Sequence, residues 1–176
     1  MDHPQGTVRT VDEIRILAAR GPWTTKSGGK LNVTFALPLQ TLQDSYLQYE
    51  NEELKRVPGD VRGLRVYTVR DLPLGSIGGT EWHRIREEMI FVLEGSVRWM
   101  CEDLLGGTKD FALDPSVGVW MPPFIRHTYE VLESGSGLFV VANTLFVPED
   151  PATHDTYSPE EFKKLQEVYM KTGSVR

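Results

Sequence analysis

Gly75-Ser76-Ile77-Gly78-Gly79-Thr80-Glu81-Trp82-His83-Arg84-Ile85-Arg86-Glu87-Glu88-Met89-Ile90-Phe91-Val92-Leu93-Glu94-Gly95 is the stretch on which the reading of this chain turns. Residues two apart on a strand share a face, so Glu81 and His83 point one way and Trp82 the other. Glu88 heads an apolar run that returns to Gly95, and a hairpin would bring Glu88 back beside Glu81 and His83. Farther along, the Pro122-Pro123 corner lets a later strand carry His127 toward the same place. Two imidazoles and two carboxylates meeting inside a small barrel suit a divalent cation such as Fe²⁺, Mn²⁺, Ni²⁺ or Zn²⁺. Electrostatics argue the same way: neighbouring buried carboxylates repel, and a cation cancels both charges while using neutral imidazoles as ligands.

Outward from this stretch, short runs alternate apolar and polar residues with period two. They cover residues 31–37, 64–69, 89–93, 97–101, 111–113, 118–121, 128–132 and 138–146, with Gly and Pro between them. Such spacing predicts an all-β sandwich or barrel rather than βαβ units. Helices are expected at the margins. Thr10-Val11-Asp12-Glu13 has capping-box spacing and predicts a short helix ending near Gly21. Ser158-Pro159-Glu160-Glu161 predicts a C-terminal helix over about 159–172, with Gly173 as its stop. Residues 41–57 read as an amphipathic helical excursion lying on the surface, and the barrel core is expected over about 29–147 of one domain spanning 1–176.

The chain has 176 residues, 40% of them hydrophobic, which is enough for one domain with its own core. A net charge of −6 argues against nucleic-acid binding, and no run approaches the length of a membrane helix. The opening residues lack the pattern of a secretory signal, and a single cysteine, Cys101, excludes an internal disulfide framework. A cytoplasmic protein is the expectation. Trp82, facing away from the pocket, hints at a homodimer contact, and Cys101 reads as a buried hydrophobe. Arg65 and Tyr67 share a strand face; Arg65 is a candidate for a substrate carboxylate or phosphate. His3 and His154 read as terminal and loop residues without a role.

The spacing Gly75-x5-Glu81-x-His83-x4-Glu88-x6-Gly95 resembles the cupin motif G-x5-H-x-H-x4-E-x6-G, with glutamate at the first histidine. Residues 122–127, Pro-Pro-Phe-Ile-Arg-His, resemble its second motif, P-x-G-x2-H, with Phe124 at the glycine. The resemblance implies a double-stranded β-helix, or jelly roll. Within cupins the chain is most similar to the dTDP-sugar 3,4-ketoisomerases, the WxcM-like group. The carriers are Arg65-Val66-Tyr67, residues 93–97, residues 111–114, Val117-Gly118-Val119 and residues 155–162. Those enzymes move a keto group between neighbouring sugar carbons by shuttling a proton, and they are not thought to need a metal. The second of their paired histidines corresponds to His83, while Glu81 replaces the first and Gly78 replaces a preceding arginine.

The resemblance implies His83 as a catalytic residue, Tyr67 in the family's active-site neighbourhood and a dTDP-sugar as small-molecule partner; Glu81, by its chemistry, is expected to be the catalytic acid/base partner of His83, and Arg65 a substrate contact. The electrostatic argument adds a metal held by Glu81, His83, Glu88 and His127. Two other readings are open. Gly79-Thr80-Glu81 resembles ectoine-synthase-type cupins, which suggests a metal-dependent oxygenase, lyase or cyclase; the other is a barrel that binds a small ligand without turning it over.

Overall fold

The computed structural model describes residues 8–49, 51–57 and 59–175. Eleven strands occur in it, β1 (Arg15–Ala18), β2 (Arg20–Thr24), β3 (Lys30–Val33), β4 (Arg62–Leu72), β5 (Ile77–Glu81), β6 (Glu88–Glu94), β7 (Val97–Glu102), β8 (Thr108–Leu113), β9 (Val117–Met121), β10 (Arg126–Val131) and β11 (Ser136–Thr144). Three helices accompany them: α1 (Leu39–Thr41), α2 (Asn51–Leu54) and α3 (Pro159–Thr172). One sheet runs β1-β9-β6-β11-β4 and a second β5-β10-β7-β8, every pairing antiparallel. This is the jelly roll that the cupin motifs imply.

The inner faces of the two sheets make the main core. Ile90, Val97, Trp99, Cys101, Leu113, Val119, Met121, Val131, Leu138 and Val140 meet there. Each such side chain contributes about 1.5–3 kcal/mol by leaving water, so this layer dominates stability. Gly95 turns β6 into β7 at φ +73°, and a Cβ there would strike Ser136, so the sheet-to-sheet crossing requires glycine.

Several expectations change. Glu13 does accept from the Thr10 N–H, but the helix stops after the 3₁₀ turn Val11–Glu13. β1 follows instead because it completes the edge of the first sheet against β9, and Pro22 inside the next strand could not have continued a helix. The sheet therefore begins before residue 29. Lys30–Val33 pairs only with β2, while Phe35 leaves the strand and stacks on Phe91 at 4.9 Å.

The excursion at 41–57 is not simply solvated. Tyr46 is fully buried against Met89, Phe91, Trp120 and Val141, and its hydroxyl donates to the Val141 carbonyl. Its helical turns are short, and Pro58, expected to end it, lies outside the described residues, as does His3. β5 and β6 do not form a hairpin: β5 pairs with β10, β6 with β9 and β11. The segment 82–87 between them crosses from one sheet to the other. Trp82 faces away from the pocket as expected but is covered by this chain, packing on Phe124, Tyr157 and Phe162 and donating to the Ser158 carbonyl, so it offers no dimer contact. His154 has partners too, stacking on Phe146 at 4.3 Å.

Candidate functional site

β5 ends at Glu81, and His83 follows on the crossing segment, still on the inner side. Glu88 opens β6 directly across from Met121 of β9 and Ala142 of β11. His127 lies on β10 in register with Glu81. The fold thus gathers all four residues although they come from both sheets. His83 Nε2 stands 3.8 Å from Glu81 Oε1 and 3.6 Å from Glu88 Oε2, and His127 Nε2 is 3.9 Å from the same Glu88 oxygen. His83, Glu88 and His127 are all buried; Glu81 is partly open to solvent.

The orientation of both imidazoles follows from their outer nitrogens. His83 Nδ1 lies 2.6 Å from the Asp155 carbonyl and His127 Nδ1 lies 3.1 Å from the Ile125 carbonyl. A carbonyl only accepts, so both Nδ1 atoms donate, and neutral rings turn bare Nε2 lone pairs inward. Two lone pairs and two carboxylates then face one point. Acceptors facing acceptors at under 4 Å call for a positive species between them: a proton on one ring, or a cation. His83 Nε2 is buried and has no hydrogen-bond partner among the described residues. Single donor atoms of Glu81, His83 and His127 lie within 4.8 Å of one another, a set of the kind divalent ions take.

Burial pushes the Glu88 carboxyl up, but His83, Arg86 and His127 outweigh it and hold it well below the usual carboxylate range. Burial, followed by the charge of His83, pushes His127 down, which favours a neutral ring there. The second Glu88 oxygen is already engaged: the Tyr67 hydroxyl donates to Oε1 at 2.9 Å, and Arg86 Nη1 lies 3.6 Å away. Burial and the Glu88 charge raise the Tyr67 phenol, which keeps its proton and donates it to Glu88. Arg65 sits in register with Ala142 on the same inner row as Glu88, its guanidinium 4.9 Å from the Tyr67 ring. The described residues show no ion pair for it.

Three residues escaped the sequence reading. Arg86 is buried, with Nε donating to Thr144 Oγ1 at 3.0 Å; its parity with Glu88 was the available signal. Asp155 accepts from the backbone N–H groups of Arg84, Ile85 and Arg86 at 3.0, 2.8 and 2.7 Å, and so shapes the crossing segment that carries His83. Nothing local in the sequence marks that contact, which spans about seventy residues. Tyr129, two residues after His127, lies over Gly78, where any Cβ would overlap its phenol, and stacks on Trp99 at 5.8 Å. Trp99 in turn stacks on His127 at 5.5 Å. Tyr129 thus occupies the room that a side chain at position 78 would need.

Comparison with known proteins adds the following. A variant of the 3,4-ketoisomerase QdtA from Thermoanaerobacterium thermosaccharolyticum, solved with TDP-4-keto-6-deoxyglucose, matches 92% of this chain and 97% of its own, with TM-score 0.59 and 18% identity. WlaRA, a TDP-fucose-3,4-ketoisomerase from Campylobacter jejuni, matches 90% of this chain and 98% of its own, with TM-score 0.59 and 16% identity. A dTDP-4-dehydrorhamnose 3,5-epimerase from Bacillus anthracis matches 86% and 83%, with TM-score 0.57 and 10% identity. At these identities the likeness is one of fold. No curated protein sequence matches the chain. The family model described as FdtA: WxcM-like, C-terminal matches residues 37–166, which include all four converging residues and the Asp155 seat. The chain belongs to the WxcM-like, C-terminal family of cupin-fold proteins.

Proposed function

We propose that this chain isomerises a carbonyl-bearing sugar, of the nucleotide-linked kind that the ketoisomerases of like fold act on, by moving a proton between neighbouring carbons. One observation carries the reading: His83 Nε2 is buried with no hydrogen-bond partner among the described residues, while the Asp155 carbonyl at Nδ1 turns it toward the pocket. His83 takes the proton from the carbon beside the carbonyl, leaving an enediolate. Glu81 passes a proton between the two neighbouring oxygens, and His83 returns its own to the former carbonyl carbon. Nothing is gained or lost, as an isomerisation requires. Glu88, fixed by Tyr67 and Arg86, stays ionised and supports the imidazolium that His83 becomes at mid-reaction.

His83→Asn is expected to abolish turnover and also the incorporation of deuterium from D₂O into the isomerised sugar. An active His83→Asn enzyme would end this reading. A second reading rests on the donor set of Glu81, His83 and His127, with Glu88 beside them. These residues would hold a divalent cation, which supplies a positive charge for an enediolate or another developing oxyanion. Elemental analysis of untagged protein separates the two: a stoichiometric metal whose removal stops the reaction supports the second.

A further inference from the structure

The crossing segment from Arg84 to Glu87 belongs to no strand, and its N–H groups all donate to side chains. Asp155 takes those of Arg84, Ile85 and Arg86, and Asn143 Oδ1 takes that of Glu87 at 2.8 Å. Asn143 is fully buried and follows Ala142, the β11 residue opposite Glu88. Its Nδ2 donates to the Tyr46 carbonyl at 2.7 Å, and its N–H to the Glu87 carbonyl at 3.1 Å. Its own carbonyl accepts from the Tyr49 hydroxyl, which accepts in turn from the Gly63 N–H at 3.1 Å. One residue thus joins β11, the crossing segment and the excursion that carries Tyr46 and Tyr49.

An N–H only donates and a carbonyl only accepts, so the two partners fix which way the Asn143 amide points. No other side chain of this size carries a donor atom and an acceptor atom together. Aspartate would set an oxygen against the Tyr46 carbonyl, and leucine would leave both partners bare. Glu87 leads directly into Glu88, whose carboxylate lies 3.6 Å from His83 Nε2 and 3.9 Å from His127 Nε2. The β6 ladder holds Glu88 on one side, and the Glu87 N–H bond holds it on the other. Misplacing a reacting group by about 1 Å costs on the order of a hundredfold in rate, so the second hold matters.

We propose that Asn143 is a positioning residue for Glu88 and His83, and that the excursion shares in this by fixing the Asn143 amide through Tyr46 and Tyr49. Asn143 acts through the Glu87 backbone and touches no reacting group. The role deepens the isomerase reading, and only its kinetic readout rests on that reading.

Two measurements on the full chain test it, in wild type, Asn143→Leu, Asn143→Asp, Tyr49→Phe and the control Val141→Ala. The control thins the packing beside Tyr46 on the same strand and keeps every Asn143 partner. Imidazole nitrogen resonances, recorded by NMR at a single pH and assigned with His83→Asn and His127→Asn, report the surroundings of His83 Nε2 without any substrate. They should move in both Asn143 variants and stay in place in Val141→Ala, although all three lose stability. With TDP-4-keto-6-deoxyglucose as the probe, Asn143→Leu should lower kcat about tenfold or more and leave KM within about twofold.

If neither Asn143 variant folds, Tyr49→Phe decides, since it removes one oxygen from a half-buried ring and should move the same resonances. His83 resonances that keep their wild-type positions in every folded variant overturn the positioning role. So does a shift in Val141→Ala as large as that in Asn143→Leu, or a wild-type kcat in Asn143→Leu. A wild type that leaves the probe unchanged while the resonances follow Asn143 ends the isomerase reading alone.

Discussion

Phe124 holds a backbone angle that its side chain resists. Its φ is +62°, where an L-residue with a Cβ costs about 1–2 kcal/mol, and the related cupin motif carries glycine there. The conformation persists because the Phe124 N–H donates to the His83 carbonyl at 2.8 Å, while its ring is buried with Trp82, Leu104 and Phe162. Removing the ring from such a cluster costs about 3–5 kcal/mol, more than the strain it leaves behind. Two substitutions separate these effects. Phe124→Ala loses the packing and keeps the strain; Phe124→Gly loses the packing and relieves it. Urea melts should therefore rank Phe124→Gly above Phe124→Ala by about 1 kcal/mol, the reverse of the usual order for these two residues.

Cys101 offers a second residue-scale test. Burial pushes its thiol up to about 12, so at pH 8 almost none of it is thiolate. Iodoacetamide should leave it unmodified in the native protein and label it fully in urea.

At the scale of elements, β5 and β10 constrain one another through a single missing side chain. Gly78 lies opposite Tyr129 in the ladder and beneath its phenol. Gly78→Ala should destabilise the fold by about 1–3 kcal/mol through overlap. Adding Tyr129→Ala removes the overlap, so the double variant should lose less than the sum of the two single ones in a thermodynamic cycle.

The same element pair shows how much could be read in advance. Strand parity was enough to put Glu81 and His83 on one side, and it held even though the expected hairpin with β6 does not exist. His127 reached the site because a proline corner redirects the chain before β10. By contrast, the Asp155 contact, the Tyr129 cover and the brevity of the Val11–Glu13 turn depend on partners distant in sequence. Capping residues specify where a helix starts, not whether an open sheet edge will claim the residues that follow.

For the molecule as a whole, the buried charges tie stability to pH. Glu88 is held below its ordinary range in the folded state, so its contribution is fully present above that range and fades as pH falls through its folded value. The stability gap between wild type and Glu88→Gln, measured by urea melts, should be largest near neutrality and shrink on acidification. A gap that widens in acid would contradict the charge network around Glu88.

The seat of Asp155 on the crossing segment has a consequence for how the protein is made. A ribosome releases both sheets, which end at Thr144, before it releases Asp155, and domains begin to fold as they emerge. Until residue 155 arrives, the His83 ring lacks the carbonyl that settles which nitrogen carries the hydrogen. A chain cut or paused before residue 155 would thus own both sheets while the direction of the His83 ring was still unset.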